Sequence, residues 1–73
     1  MDEKTMVEKC KEYLKTVYGE DTVSMDVTNN AVKGGNGVLS VECTVLIGGS
    51  SSDWSKKFTF RNGEVTDMTW KRR

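Results

Sequence analysis

The sequence contains neither histidine nor proline. Histidine is the side chain that most often serves as a general base or a transition-metal ligand, so its absence removes the commonest candidate for both roles. The absence of proline favours a compact unit of helix and sheet over an array of domains joined by linkers. The longest uninterrupted apolar run is Val45–Ile47. A membrane-spanning helix needs about 20 apolar residues, and the sequence therefore predicts none.

Cysteine is scarce, with two residues in the chain. Two are too few for a disulfide-rich secreted scaffold, and the first residues alternate charged and apolar groups without the apolar run of a signal peptide. We therefore expect a cytoplasmic protein. Cys10 and Cys43 both occupy predicted core positions, which favours packing as small apolar side chains, with a disulfide as the alternative. A zinc site would also need carboxylates at a suitable spacing, and none occurs, so we expect no metal and no cofactor.

The length of 73 residues predicts one domain, residues 1–73, and excludes a two-lobed enzyme or a doubly wound nucleotide fold. A chain this short has a thin core. Eleven basic residues balance eleven acidic ones, so net charge gives no overall bias toward nucleic acid or membranes. We expect a monomer.

The first segment has the apolar period of a helix that packs one face on a core. Its apolar residues are Met6, Cys10, Tyr13 and Val17, flanked by Val7, Leu14 and Tyr18. The helix starts at a capping box headed by Thr5 or, one turn earlier, at Asp2. Gly19 ends it, because glycine adopts the left-handed cap conformation without steric cost.

After Gly19 the apolar period changes to two, which predicts antiparallel strands. Val23, Met25 and Val27 form the buried face of the first strand, and the next two strands are Val38–Ile47 and Trp54–Arg61. The intervening segments, Asn29–Gly37 and Gly48–Asp53, are predicted to be loops. The glycines around Gly35 suggest a mobile turn in which alanine is tolerated, not a phosphate-binding loop, because no helix follows it.

Asn62-Gly63 predicts a type I′ hairpin that pairs Arg61 with Glu64 and Phe60 with Val65. Strict alternation after this turn sends Met68 and Trp70 to the outer face. A one-residue bulge near Thr66–Asp67 instead returns both to the core. We expect the bulge, with Trp70 buried under the helix, so that its truncation would unfold the domain. The alternative is an exposed Met68/Trp70 patch beside Lys57.

These elements predict an α+β fold of two layers, with one N-terminal helix on a four-stranded antiparallel meander in the order α-β-β-β-β. This order resembles that of cystatin- and monellin-like domains in topology only. The Gln-x-Val-x-Gly hairpin typical of cystatin inhibitors is absent, so no inhibitor function is carried over.

No nucleophile–base pair is evident, and Asp26, Glu42 and Asp67 are expected on solvated surface, so an enzyme is not predicted. The main hypothesis is a small regulatory domain that binds another protein through the sheet's outer face, a hairpin loop or an edge strand.

Two alternatives remain open. The basic last hairpin could bind nucleic acid, because residues 49–73 carry six basic and three acidic side chains, or it could be a frayed, solubilising tail. A pocket between helix and sheet could hold a small ligand or serve an enzyme. The candidate partner-binding residues are Lys57, Arg61, Met68, Trp70 and Lys71.

Overall fold

The chain forms one helix followed by four antiparallel strands, and the computed structural model describes all 73 residues. The elements are helix α1 (Glu3–Tyr13), a π-helical turn that continues it (Leu14–Tyr18), and strands β1 (Asp21–Lys33), β2 (Asn36–Ile47), β3 (Ser50–Arg61) and β4 (Glu64–Arg72). The sheet order is β1-β2-β3-β4, with the helix packed on one face. The predicted two-layer α+β meander is confirmed.

The helix begins one turn before the capping box at Thr5. The Asp2 carboxylate accepts a hydrogen bond from the Thr5 backbone N–H at 2.8 Å. Hydrogen bonding to the Thr5 side chain, and then to its backbone, lowers the pKa of Asp2. Gly19 ends the helical segment with a φ of +69°, as predicted. The segment falls short of the length and apolarity that crossing a bilayer requires.

The predicted apolar face holds for Met6, Cys10 and Leu14, which are buried, but is wrong at its C-terminal end. Val17, predicted on the buried line, is 54% exposed, and Tyr18, at the flank of that face, is 40% exposed, as expected for that aromatic ring. The physical reason is the π-helical turn, which has more residues per turn than an α-helix and rotates Val17 away from the expected line.

The strands are longer than predicted, because the two glycine-rich segments are tight turns. Gly34-Gly35 and Gly48-Gly49 have φ values of +58°, +81°, +55° and +84°, close to the +51° and +79° of Asn62-Gly63. All three are two-residue turns with positive φ at both central positions, as a type I′ hairpin requires. The predicted loops Asn29–Gly37 and Gly48–Asp53 are therefore wrong, since their polar residues extend the strands beyond the core.

Strand β1 departs from simple alternation at two bulges. Val23 and Thr28 are the extra residues in its pairing with β2. Val23 is consequently 63% exposed, although the alternation predicts it inside, whereas Met25 and Val27 do pack against the core.

The predicted bulge in β4 is confirmed. Phe60 pairs with Val65 and Thr59 with Asp67, which leaves Thr66 as the extra residue. Met68 then lies opposite Phe58 and is buried. The buried apolar side chains form a single cluster of ten: Met6, Cys10, Leu14, Leu39, Val41, Cys43, Val45, Phe58, Phe60 and Met68.

Both cysteines are free and fully buried in this cluster. Burial raises the pKa of the Cys10 thiol to about 12, with a smaller contribution from Cys43, and burial also raises the pKa of Cys43. A thiol that stays protonated and shielded is a poor nucleophile. Packing is therefore the role that the structure gives these side chains.

The thiols should resist modification in the folded protein. At pH 8 an aromatic disulfide reagent is expected to label neither Cys10 nor Cys43 until denaturant is added, because both are buried and protonated. The double variant Cys10→Ser/Cys43→Ser should stay folded with a loss of ~1–3 kcal/mol in the free energy of unfolding. Rapid labelling of the native protein would contradict this account.

The turn at Gly34-Gly35 docks against the turn at Asn62-Gly63. The Gly35 carbonyl accepts the Gly63 N–H at 2.9 Å, and the Asn36 side-chain oxygen accepts the Asn62 N–H at 3.0 Å. A Cβ placed on Gly35 would lie 2.7 Å from the Gly63 nitrogen. The expectation that alanine is tolerated at position 35 is therefore wrong.

Gly35→Ala should lower the free energy of unfolding more than Gly49→Ala does. The two glycines hold the same place in matching turns, with φ values of +81° and +84°, but a Cβ at Gly49 meets nothing within 4 Å. Both variants force an alanine into the left-handed conformation, which lowers the free energy of unfolding by ~1–2 kcal/mol. Gly35→Ala should lose roughly another 1–3 kcal/mol by breaking the bond to Gly63, measured by urea denaturation. Equal losses would show that the docking adds nothing.

An aromatic cluster around a buried ion pair as the candidate functional site

A group of aromatic and charged side chains lies on the helix-bearing face of the sheet, beyond the end of the helix. Strand pairing places Lys56 beside Trp70 and Trp54 beside Arg72. Tyr18 and Glu20 reach the same place from the segment that ends the helix. We call these six residues the open-end cluster: Tyr18, Glu20, Trp54, Lys56, Trp70 and Arg72. Together with Met68, all of them except Arg72 line a depression of about 190 Å3.

An ion pair between Lys56 and Glu20 lies at the centre of this cluster. The Lys56 Nζ is 3.0 Å from the Glu20 Oε1, and the two side chains are 2% and 11% exposed. Gly19 makes this contact possible, because its left-handed conformation turns the chain back toward the sheet directly before Glu20. Burying a charge is costly unless it is paired, so each partner stabilises the buried position of the other.

Aromatic rings surround the Lys56 ammonium. Its nitrogen lies 5.3 Å from the centre of the Trp54 ring and 6.0 Å from that of Tyr18. The Arg72 guanidinium carbon lies 5.2 Å from the centre of Trp54. Ring faces attract cations at these distances. Trp54 is held further by a hydrogen bond from its indole N–H to Ser52 at 2.8 Å.

Trp70 and Tyr18 form the solvent-exposed part of the cluster. Their ring centres are 6.2 Å apart in an edge-to-face arrangement, and Trp70 is 56% exposed. The expectation that Trp70 is buried is therefore wrong. The bulge does place Trp70 on the helix side, but the helical segment ends at Tyr18, so no element covers its ring.

The structure brings together only part of the sequence-predicted site: Lys57, Trp70 and Lys71 border one groove, whereas Arg61 and Met68 do not. Lys57, Arg61 and Lys71 are exposed and alternate with inward-facing neighbours, which puts them on the outer face. Met68 is buried in the core, and Trp70 lies on the side of the sheet that carries the helix. The alternative of an exposed Met68/Trp70 patch beside Lys57 is also wrong, because the bulge puts Met68 and Trp70 on the helix side of the sheet and leaves Lys57 on the outer face.

Sequence reasoning missed Glu20 and Lys56. Lys56 occupies an inward-facing position between Trp54 and Phe58, and a lysine at such a position signals a buried partner. Nothing local identifies that partner, because Glu20 lies 36 positions away along the chain.

Other surfaces carry fewer signs of a site. A groove of about 380 Å3 on the outer face is lined by ten residues: Thr28, Ser40, Val41, Glu42, Ser55, Lys56, Lys57, Thr69, Trp70 and Lys71. Another of about 350 Å3 runs between α1 and β4, lined by Lys9, Glu12, Tyr13, Thr16, Val17, Glu64 and Val65. Its volume suits a small ligand, but most of its lining is polar or charged, unlike typical ligand pockets. No three acidic or cysteine side chains are grouped to hold a metal ion.

The C-terminus is ordered, contrary to the frayed tail that the sequence suggests as one alternative. The Arg73 N–H donates to the Asp53 carbonyl at 3.2 Å. Its guanidinium contacts Glu42 at 3.2 Å and Asp53 at 3.9 Å. Asp26 lies opposite Glu42 and is exposed, as expected for a solvated face.

Comparison with known proteins gives no family. The chain matches no family model, and neither curated proteins nor solved structures show a significant match. Function must therefore be inferred from the site itself.

The ion pair should show strong coupling between its partners. Lys56→Met leaves the Glu20 carboxylate without its partner and should cost about 3 kcal/mol in the free energy of unfolding. Lys56→Met/Glu20→Leu should cost much less than the sum of the single changes, as measured by chemical denaturation. Lys57→Met is the control, because Lys57 is exposed, and it should change stability by less than about 0.5 kcal/mol. Additive losses would mean that the pair is not coupled.

Proposed function

We propose that the protein is a non-enzymatic protein-binding domain and that the open-end cluster is its docking surface. The observation that carries this proposal is the exposure of Trp70 and Tyr18 in mutual contact beyond the end of the helix. Exposed apolar patches on small proteins mark interaction surfaces, and tryptophan and tyrosine are enriched among the residues that dominate binding energy.

The charges near Trp70 specify the chemistry of the partner. Lys71 and Arg72 follow Trp70 in sequence, and neither takes part in any of the five ion pairs of the protein. Glu20, the acidic member of the cluster, is already paired with Lys56. The complementary ligand is therefore a peptide segment with an apolar or aromatic side chain for Trp70 and a carboxylate for Arg72.

Two features support a binding role over catalysis. Within the cluster, Lys56 and Glu20 neutralise each other, so neither is available as a nucleophile or base. The two thiols lie outside the cluster, buried in the core with raised pKa values. The free thiols also support our proposal that the domain acts in a reducing compartment such as the cytoplasm.

Single-stranded nucleic acid is the second candidate. An exposed tryptophan beside Lys71 and Arg72 has the elements of a stacking platform, in which bases stack on rings and phosphates contact basic side chains. Two observations favour the protein partner. Trp54 is already engaged by two cations, which leaves Trp70 as the one exposed tryptophan. The chain also has no net positive charge.

Trp70→Ala should leave the protein folded and weaken binding. Because Trp70 is 56% exposed, its truncation should shift the melting temperature by only a few degrees. Short peptides selected from a random displayed library should carry acidic and aromatic residues. Their affinity for Trp70→Ala should fall at least about 30-fold, as for the loss of a dominant contact residue.

Val38→Ala is the matched control, because Val38 is 37% exposed at the opposite end of the sheet, near the turn at Gly34-Gly35. This variant should bind the selected peptides as the wild type does. Peptides that bind Trp70→Ala with unchanged affinity would refute the proposed surface. The nucleic-acid function would replace the protein-binding function if two results came together. No acidic peptide would be selected, and a single-stranded oligonucleotide would bind in a salt-sensitive way that Trp70→Ala abolishes.

A further inference from the structure

The sheet has two edges, and they differ in how well they could accept another strand. β1 forms one edge and is interrupted by the bulges at Val23 and Thr28, which disturb a pairing surface. β4 forms the other edge and pairs regularly with β3 over Asp67–Arg72. This six-residue segment is the flat part of the β4 edge.

One hydrogen bond fixes which backbone groups of β4 point toward solvent. The Arg73 N–H donates to Asp53 in β3 at 3.2 Å. Neighbouring residues of an antiparallel strand direct their N–H and C=O groups to opposite sides. Lys71 and Thr69 therefore face β3, as Arg73 does, and the backbone groups of Met68, Trp70 and Arg72 face the open edge.

The side chains of this segment are complementary to themselves. Asp67, Thr69 and Lys71 are alternate residues and share the outer face. Asp67 and Lys71 take part in no ion pair within the chain. They are equally distant from Thr69, on opposite sides of it. An antiparallel copy centred on Thr69 would place each acid opposite a base.

We propose that two copies of the protein associate through antiparallel pairing of their β4 strands, centred on Thr69. In this register Met68 lies opposite Trp70 of the second copy, and their edge-facing backbone groups form four hydrogen bonds across the two-fold axis. Asp67 of each copy lies opposite Lys71 of the other. Each exposed Trp70 ring gains Met68 of the second copy as a neighbour.

The alternative registers do not place Asp67 opposite a free base. Centring the pair on Trp70 places Asp67 opposite Arg73, which is already engaged by Glu42 and Asp53. Centring it on Met68 places Asp67 opposite Thr69. Because each chain has its own buried core, the dimer is a reversible association of folded chains. It does not depend on the peptide partner proposed above.

The test is sedimentation of the purified protein over a concentration series. Wild type should dimerise. Asp67→Lys and Lys71→Glu should each place like charges opposite one another at two positions and weaken association at least tenfold. An equimolar mixture of the two variants should recover it as a heterodimer. In that heterodimer the introduced lysine lies opposite the introduced glutamate, and the unchanged Lys71 of one chain lies opposite the unchanged Asp67 of the other.

Lys57→Glu is the control, since it introduces an acidic side chain on the outer face of β3 and should dimerise as wild type does. Circular dichroism should show every variant folded, because the altered residues are exposed. Three outcomes would each overturn the proposal: wild type that stays monomeric at millimolar concentration, single variants that dimerise normally, or a mixture that does not associate. Peptide binding by a purely monomeric protein would refute self-pairing while leaving the protein-binding function intact.

Discussion

The contact between Lys56 and Glu20 connects the end of the helix to the centre of the sheet. Lys56 lies on an inward face that otherwise carries apolar side chains, and it is tolerated there because Glu20 is 3.0 Å from its ammonium. Glu20 in turn depends on the turn at Gly19. The positions of Tyr18 and Trp54 follow from this pair, since both rings lie within about 6 Å of the same ammonium. Trp70 is positioned by its place opposite Lys56 and by its contact with Tyr18.

The sheet therefore has two regions of different character. Its helix-covered part is a packed core of apolar side chains, where the thiols behave as apolar groups. Its uncovered end presents aromatic rings, held by a buried charge pair, next to an open strand edge. A short helix on longer strands produces this division, because α1 and its last turn end before the strands do. This shortfall of cover exposes Trp70, whereas the β4 edge is open because β4 is the last strand of the sheet.

Much of the fold could be predicted from local signals. The helix with its stop at Gly19, the Asn62-Gly63 turn and the Thr66 bulge all depend on residues close together in sequence, or on the need to bury Met68. The full length of the strands could not be predicted, because the residues at the strand ends are mostly polar and show no alternation of apolar and polar side chains. The prediction that alanine is tolerated at position 35 was wrong because Gly35 contacts Gly63, which belongs to a different hairpin. The site was the least predictable part, since Lys56 and Glu20 meet only after the helix has crossed the sheet.

The environment of the Lys56 ammonium is the central claim, and nuclear magnetic resonance tests it most directly. The ε-methylene protons of Lys56 should be shifted upfield by the Trp54 and Tyr18 rings and should show cross-relaxation with the Trp54 indole. The exposed neighbour Lys57 provides the internal reference. Ring-shifted signals for Lys56, and ordinary ones for Lys57, are the predicted result. Lys56 signals that match those of Lys57 would contradict the buried, ring-enclosed ion pair on which the candidate site is built.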